Sequence, residues 1–177
     1  MPKIYTKTGD YGKTATCSGT RVDKSHLVIE LNGEIDELSV RIGTAISCLK
    51  THNKQLRVQQ CLLQNINSII SSNKNNGVDL KYINELENDI DELTLDVQQL
   101  KSFILPGSNF VDGLIHQCRT QTRKVERVLW SYLLDDKDKV DPSIPIYFNR
   151  LSDYFFSLAR YHVHVSGDQE QFLNMYL

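Results

Sequence analysis

In the stretch CRTQTRKVER, Arg119, Arg123 and Glu126 stand four and three residues apart, with Lys124 and Arg127 beside them. On a helix the first three share a face, and Arg127 lies one turn beyond Arg123. Asn149, Asp153, Phe156 and Arg160 repeat that spacing in and after FNRLSD. Guanidinium forks suit bidentate capture of phosphate oxygens, and an asparagine amide both donates to and accepts from a base or ribose. A solvated face laced with i,i+4 ion pairs competes as an explanation, although such faces favour Lys and Glu.

A second stretch with chemical promise is TKTGDYGKT, Thr6 to Thr14. A Walker A loop requires G-x-x-x-x-G-K-[ST] between a strand and a helix. Counting back from Gly12-Lys13-Thr14, the first glycine should fall at position 7, where Lys7 stands, and ATCSGT downstream has no helical apolar period. The segment is not a P-loop. Either a Gly/Thr-rich turn or an anion nest of backbone N–H groups remains open.

The elements that must carry these residues are helical. Leu31, Ile35, Leu38, Ile42, Ile46 and Leu49 form one stripe, Leu62, Ile66 and Ile69 begin a second, and Ile83, Leu86, Ile90 and Leu93 a third. A fourth runs through Val111, Ile115, Cys118, Thr122, Val125, Leu129 and Tyr132, and a fifth through Tyr147, Leu151, Tyr154, Leu158, Tyr161 and Val165. The polar stretches SSNKNNGVD and DDKDKVDPSIP and the breaker LPGSN separate them. No alternating strand pattern competes. The expectation is an all-α fold: a five-helix bundle with a non-helical N-terminal arm, one domain over residues 1–177.

With 177 residues, 40% hydrophobic and 24% charged, the chain can bury a proper core. Its net charge of −2 gives no electrostatic footprint for nucleic acid or an anionic membrane, so any anion site must be local. No apolar run reaches the roughly 18 residues of a membrane helix. Cys17, Cys48, Cys61 and Cys118 are scattered and read as free thiols in a reducing compartment. The N-terminus has neither an apolar signal core nor an Arg/Ser-rich arm. A cytoplasmic protein is expected, or a mitochondrial one if a transit peptide was removed. His162 and His164, two apart on a helical pattern, face different ways and make a poor metal pair.

Six segments, IYTKTGDYGKT, GTRVDK, NGEIDEL, FILPG, CRTQTRKVER and FNRLSDYFFSLAR, follow one another in this order. In order and spacing they resemble the PduO-type ATP:cob(I)alamin adenosyltransferases, over nearly the whole chain. The resemblance implies a five-helix bundle, ferritin-like in outline, that assembles as a homotrimer with ATP between adjacent subunits. It implies that the N-terminal loop wraps the triphosphate without any strand-loop-helix context. Thr6, Lys7, Thr8, Gly9, Thr14 and Lys24 would hold the polyphosphate, with Mg²⁺ assisting. Arg123, Lys124, Glu126 and Arg127 would complete the nucleotide site from the fourth helix, and Asn149 from the fifth. Asp36 and Arg119 match an ion pair on the corrinoid side, and Phe103 matches the aromatic at the lower face of the corrin ring.

The implied reaction is alkyl transfer: cobalt(I) of cob(I)alamin attacks C5′ of ATP, giving adenosylcobalamin and triphosphate. A reductase and an adenosylcobalamin-dependent enzyme are the implied protein partners. A homologue that only binds ATP or corrinoid and hands the cofactor on is the alternative, and a ligand-free structural bundle a third. Three positions depart from the usual pattern: Lys124 replaces a second arginine, Ser108 a second glycine, and Ser39 a common asparagine.

Overall fold

The computed structural model describes residues 3–72, 76–100, 102–134 and 139–176. Five helices build the molecule: α1 (Leu27–Cys48), α2 (Asn53–Ser72), α3 (Leu80–Thr94), α4 (Phe110–Tyr132) and α5 (Ser143–Ser166). Parts of both polar connectors, SSNKNNGVD and DDKDKVDPSIP, lie outside the described residues.

Local chemistry sets the helix ends. His26 caps α1 by accepting from the Val28 N–H, Asp79 caps α3 by accepting from Lys81, and Asn109 caps α4 by accepting from Asp112. Helix α5 stops at Gly167, whose φ of 75° is the left-handed conformation that glycine tolerates best. At its other end, α5 begins against Gly77. A Cβ there would collide with Asp141 and Ser143, and the close approach lets Val78 N–H donate to Ser143 Oγ at 2.8 Å.

Helix α5 is the axis of the bundle. It packs against α4 and α3, and α1 packs against α4 and α2. Tyr147, Phe148, Tyr154 and Phe155 of α5 are the largest fully buried side chains. Burying each aromatic stabilises the fold by about 1.5–3 kcal/mol of apolar transfer. The expected stripes face this core with small departures. On α2, Ile70 is buried while Ile69 is half-buried. Val165 is 57% exposed, although Val163 in the same turn of α5 is buried.

The structure contains strands that the sequence gives no reason to expect. In the N-terminal arm, β1 (Lys13–Ala15) pairs antiparallel with β2 (Arg21–Asp23). Far along the chain, β3 (Ile104–Leu105) pairs antiparallel with β4 (Gln171–Phe172). Two or three residues are too few to show alternation, and the second pair depends on contacts between distant segments.

One buried polar contact gives a direct test of the core. Tyr147 donates to Gln59 Oε1 at 2.8 Å, and both residues are buried. Tyr147→Phe leaves that acceptor without its partner and is expected to lower stability by about 1–3 kcal/mol. Urea unfolding followed by circular dichroism measures it, with folded helix content unchanged.

Candidate functional site

The N-terminal arm is an exposed loop folded back on itself. Thr6 and Thr8 share a hydroxyl hydrogen bond of 2.9 Å, and Arg21 Nη2 donates to the Thr8 carbonyl at 2.9 Å. Lys24 N–H donates to the Gly12 carbonyl at 2.8 Å, so the end of the hairpin closes over the loop. The Lys24 amine lies over Gly9, where an added Cβ would sit 3.4 Å from Nζ. Lys7 has a φ of 60°, a conformation that is strained for a non-glycine residue and recurs at ligand clamps. Thr14 sits in β1 opposite Val22. The sequence-predicted residues of this loop are thus gathered, with Lys7 and Lys24 both exposed.

The second group lies on α4. Arg123, Lys124 and Arg127 are exposed, and Glu126 is half-buried. Arg127 Nη1 reaches back to the Arg123 carbonyl at 3.1 Å. Asn149 Nδ2 lies 3.4 Å from Glu126 Oε1, while its Oδ1 accepts from Arg150 Nη1 at 3.0 Å. Glu126, Asn149 and Arg150 border a cavity of about 500 Å³ whose other wall includes Trp130 and Ile146. Arg150 is held in turn by Glu87 at 2.6 Å. The sequence reading missed Arg150 and Glu87, because their contact crosses from α5 to α3.

Lys124 has a partner already. Its Nζ is 2.7 Å from Glu34 Oε1 on α1, and Gln121 donates to Glu34 Oε2 at 2.7 Å. Burial works against ionisation of Glu34, but the hydrogen bonds from Lys124 and Gln121 outweigh it and hold its carboxyl below the usual glutamate range. The same bond raises the Lys124 amine above its ordinary value.

Within one chain the arm and the α4 face stay apart. The hairpin meets the bundle near the end of α2, where Ser18 N–H donates to the Ser71 carbonyl at 3.4 Å. Among the described residues, no hydrogen bond or ion pair joins the arm to Arg119, Arg123, Lys124, Glu126 or Arg127.

A third group surrounds Phe103. The ring is 81% exposed, on the wall of a cavity of about 540 Å³ that it shares with Leu100, Ile104, His116, Arg119 and Phe156. It is therefore not a core aromatic. The segment carrying it is fastened from the C-terminus: β4 pairs with β3, and Leu173 N–H donates to the Phe103 carbonyl at 2.9 Å. Arg160 secures that C-terminal segment through two bonds to Glu170, at 2.7 and 3.1 Å, and a third to the Gln98 carbonyl. Its spacing put Arg160 with Asn149 on a polar face, but Arg160 is buried and structural.

Asp36 and Arg119 form no ion pair within the chain. Asp36 is exposed on α1, whereas Arg119 Nε donates to His116 Nδ1 at 3.1 Å. The Arg119 guanidinium also lies 6.0 Å from the centre of the Phe156 ring. Burial pushes the His116 pKa down, and the Arg119 charge adds to this while Asp112 opposes it. His116 and Asp112 were missed, although their positions relative to Arg119 place all three on one helical face.

Comparison with known proteins agrees over nearly the full length. The family described as cobalamin adenosyltransferase matches residues 4–162. Corrinoid adenosyltransferase MMAB of Homo sapiens is 37% identical over an alignment covering 97% of this chain and 73% of that protein. The corrinoid adenosyltransferase of Bacillus subtilis (strain 168) is 35% identical, covering 89% of this chain and 85% of its own. Among solved structures, a variant PduO-type ATP:corrinoid adenosyltransferase from Lactobacillus reuteri, complexed with cobalamin and ATP, superposes with a TM-score of 0.82. It is 29% identical, and the match covers 96% of this chain and 98% of that one.

The Glu34–Lys124 clamp predicts a pH signature. The folded pKa of Glu34 lies below its ordinary value of 4.5, so its stabilisation is fully present above that pH and is lost as pH falls through the folded value. The stability difference between wild type and Glu34→Gln is therefore expected to be largest near neutrality and to shrink below pH 4.5. Denaturant midpoints of both proteins across pH check this.

Proposed function

The chain belongs to the cobalamin adenosyltransferase family, and from that membership we propose that it transfers the 5′-deoxyadenosyl group of ATP to cob(I)alamin, releasing triphosphate. Phe103 carries the reading. A large aromatic ring left 81% exposed at a cavity wall beside Arg119 is suited to lie against a broad ligand with an apolar face, such as a corrin.

Cobalt(I) is itself the nucleophile and attacks carbon, so no general base is needed to create it. Two tasks fall to the protein. The first is to hold C5′ in line with cobalt, where pre-paid positioning can be worth several kcal/mol. The second is to neutralise charge developing on the leaving triphosphate. Arg123 and Arg127, exposed on a rigid helix, suit the phosphates, as do Lys7 and Lys24 on the arm. Glu126 and Asn149, at the edge of an apolar cavity, suit the nucleoside. Lys124 brings its charge to the same nucleotide face, and its bond to Glu34 ties that part of α4 to α1.

The separation of arm and α4 within one chain supports a shared site, with the arm of one subunit closing on α4 of the next in a homotrimer. The same arrangement would offer Asp36 a partner in Arg119 across the interface. Among the described residues no three metal-ligating side chains gather, so an Mg²⁺ ion would travel on the triphosphate, as is usual for this cation. The exposed Phe103 ring would exclude water and the axial base from the lower face of cobalt, which eases reduction to the nucleophilic state.

Anaerobic incubation with chemically reduced cobalamin and ATP is expected to give the light-sensitive Co–C product, followed by its absorbance change. Binding of both ligands without turnover would favour the cofactor-carrier alternative. If the site is shared, inactive Lys24→Ala and Arg123→Ala proteins should regain activity when refolded together, because some interfaces then combine two intact halves. No recovery would overturn the shared site.

Phe103→Ala separates chemistry from folding. Because the ring is exposed, its removal should leave the melting temperature and ATP affinity near wild type. Activity starting from cob(II)alamin and a mild reductant should collapse, while some transfer from pre-reduced cob(I)alamin survives. An unchanged spectrum of bound cob(II)alamin would remove Phe103 from this role.

A further inference from the structure

Asp112 is 2% exposed and His116 4% exposed; His116 lines the cavity beside Phe103, and Asp112 lies directly behind it. One oxygen of Asp112, Oδ2, accepts from the backbone N–H groups of Gly107 at 2.8 Å and Ser108 at 2.9 Å. These two residues belong to the turn that follows Phe103 and Ile104. Gly107 has a φ of 106°, so this turn needs glycine as well as the carboxylate. The other oxygen, Oδ1, lies 3.3 Å from His116 Nε2. On its far side, His116 Nδ1 accepts from Arg119 Nε at 3.1 Å. An acceptor Nδ1 has no proton, so a neutral ring carries its proton on Nε2, facing Asp112. The lowered pKa of His116 is consistent with a neutral ring.

We infer that Asp112 is a positioning residue for the corrinoid pocket: through His116 it orients the Arg119 guanidinium, and through Gly107 and Ser108 it fixes the turn next to Phe103. The inference rests on the corrinoid reading of this cavity. One buried carboxylate thereby sets two walls that come from different parts of the chain. Its physical basis is tautomer control. With a carboxylate at Nε2, the lone pair of His116 stays on Nδ1, where Arg119 must donate. Without that acceptor, the ring can carry its proton on Nδ1 instead, facing the Arg119 Nε–H, and Arg119 loses its orientation. The tilted contact of His116 with Phe156, at 6.2 Å between ring centres, leaves the imidazole little freedom to compensate by turning.

Asp112→Asn is nearly isosteric and tests this directly. An amide cannot present acceptors on both sides, so it must fail either His116 or the backbone turn. The expected result is a rise of about tenfold in KM for cob(I)alamin, the equivalent of one lost hydrogen bond, with KM for ATP unchanged. In an Arg119→Ala background the same substitution should lose most of its effect, keeping only what acts through the turn at Gly107 and Ser108. His116→Phe, which keeps a ring but removes both nitrogens, should reproduce the selective KM effect. Nitrogen-15 spectra of the histidine ring supply a readout independent of turnover: Nε2–H in the wild type, with the Nδ1–H form appearing in Asp112→Asn.

Equal effects on both KM values, an undiminished effect in the Arg119→Ala background, or an Nδ1–H ring in the wild type would overturn the inference. The two levels of the proposal fail separately. If the tautomer behaves as expected but cobalamin leaves the His116 signals unmoved, the relay stands as geometry and the corrinoid assignment of the cavity falls, taking the positioning role with it.

Discussion

The rotation of α4 about its own axis is the constraint on which the site depends. Cys118, Thr122, Val125 and Leu129 are all 0% exposed, so one stripe of the helix is locked into the core beside α5. With 3.6 residues per turn, fixing that stripe fixes the direction of every other side chain. Arg123, Lys124 and Arg127 then project outward, and Asp112, His116 and Arg119 run along the flank toward Phe103. Turning the helix enough to bury Arg123 would strand a charge without a partner, which costs several kcal/mol. The buried aromatic interior of α5 thus determines where cations can stand on the neighbouring helix. Such a scaffold suits a reaction in which placement matters more than proton transfer.

The cationic groups divide into a rigid and a looser set. The α4 arginines are mounted on a long packed helix, whereas Lys7 and Lys24 flank a short hairpin with modest contact to the bundle. Overall charge contributes little, since the chain carries −2. Attraction for polyphosphate must come from the local arrangement, and it acts strongly only within about a Debye length, 8–10 Å at ordinary salt. Bringing the two sets within that range is what assembly would accomplish.

Much of this was legible because it depends on local periodicity. All five helices follow from apolar residues at spacings of three and four, and the packed face of α4 follows from the stripe through Ile115 and Leu129. The arginine cluster was visible for the same reason. Less was legible where distant segments meet. The spacing of Arg160 is indistinguishable from that of Asn149, yet Arg160 pairs with Glu170 and helps fasten the strand beside Phe103. Nothing local to Lys124 announces Glu34, which lies on another helix. Asp112 and His116 were available as a helical spacing, but an acid and a histidine one turn apart usually form a surface pair. Only their burial and the bonds to Gly107 and Ser108 distinguish them.

Phe103 brings these strands together. A single exposed aromatic ring is ordinary on a protein surface; this one is distinguished by the cavity it borders. Here the backbone on either side of it is restrained from three directions: the β3–β4 pairing, the Leu173 bond to its carbonyl, and the turn bound by Asp112. Those restraints hold the ring out against its own tendency to collapse onto the bundle. A reaction that needs an apolar surface pressed against one face of a metal requires such a ring to be placed before the ligand arrives, because ordering it during binding would consume binding energy. The buried polar groups around Asp112 are therefore best understood with the exposed apolar one. Asp112 sits where hydrophobic sorting alone would not put it, and the turn it binds helps hold the segment that carries the ring.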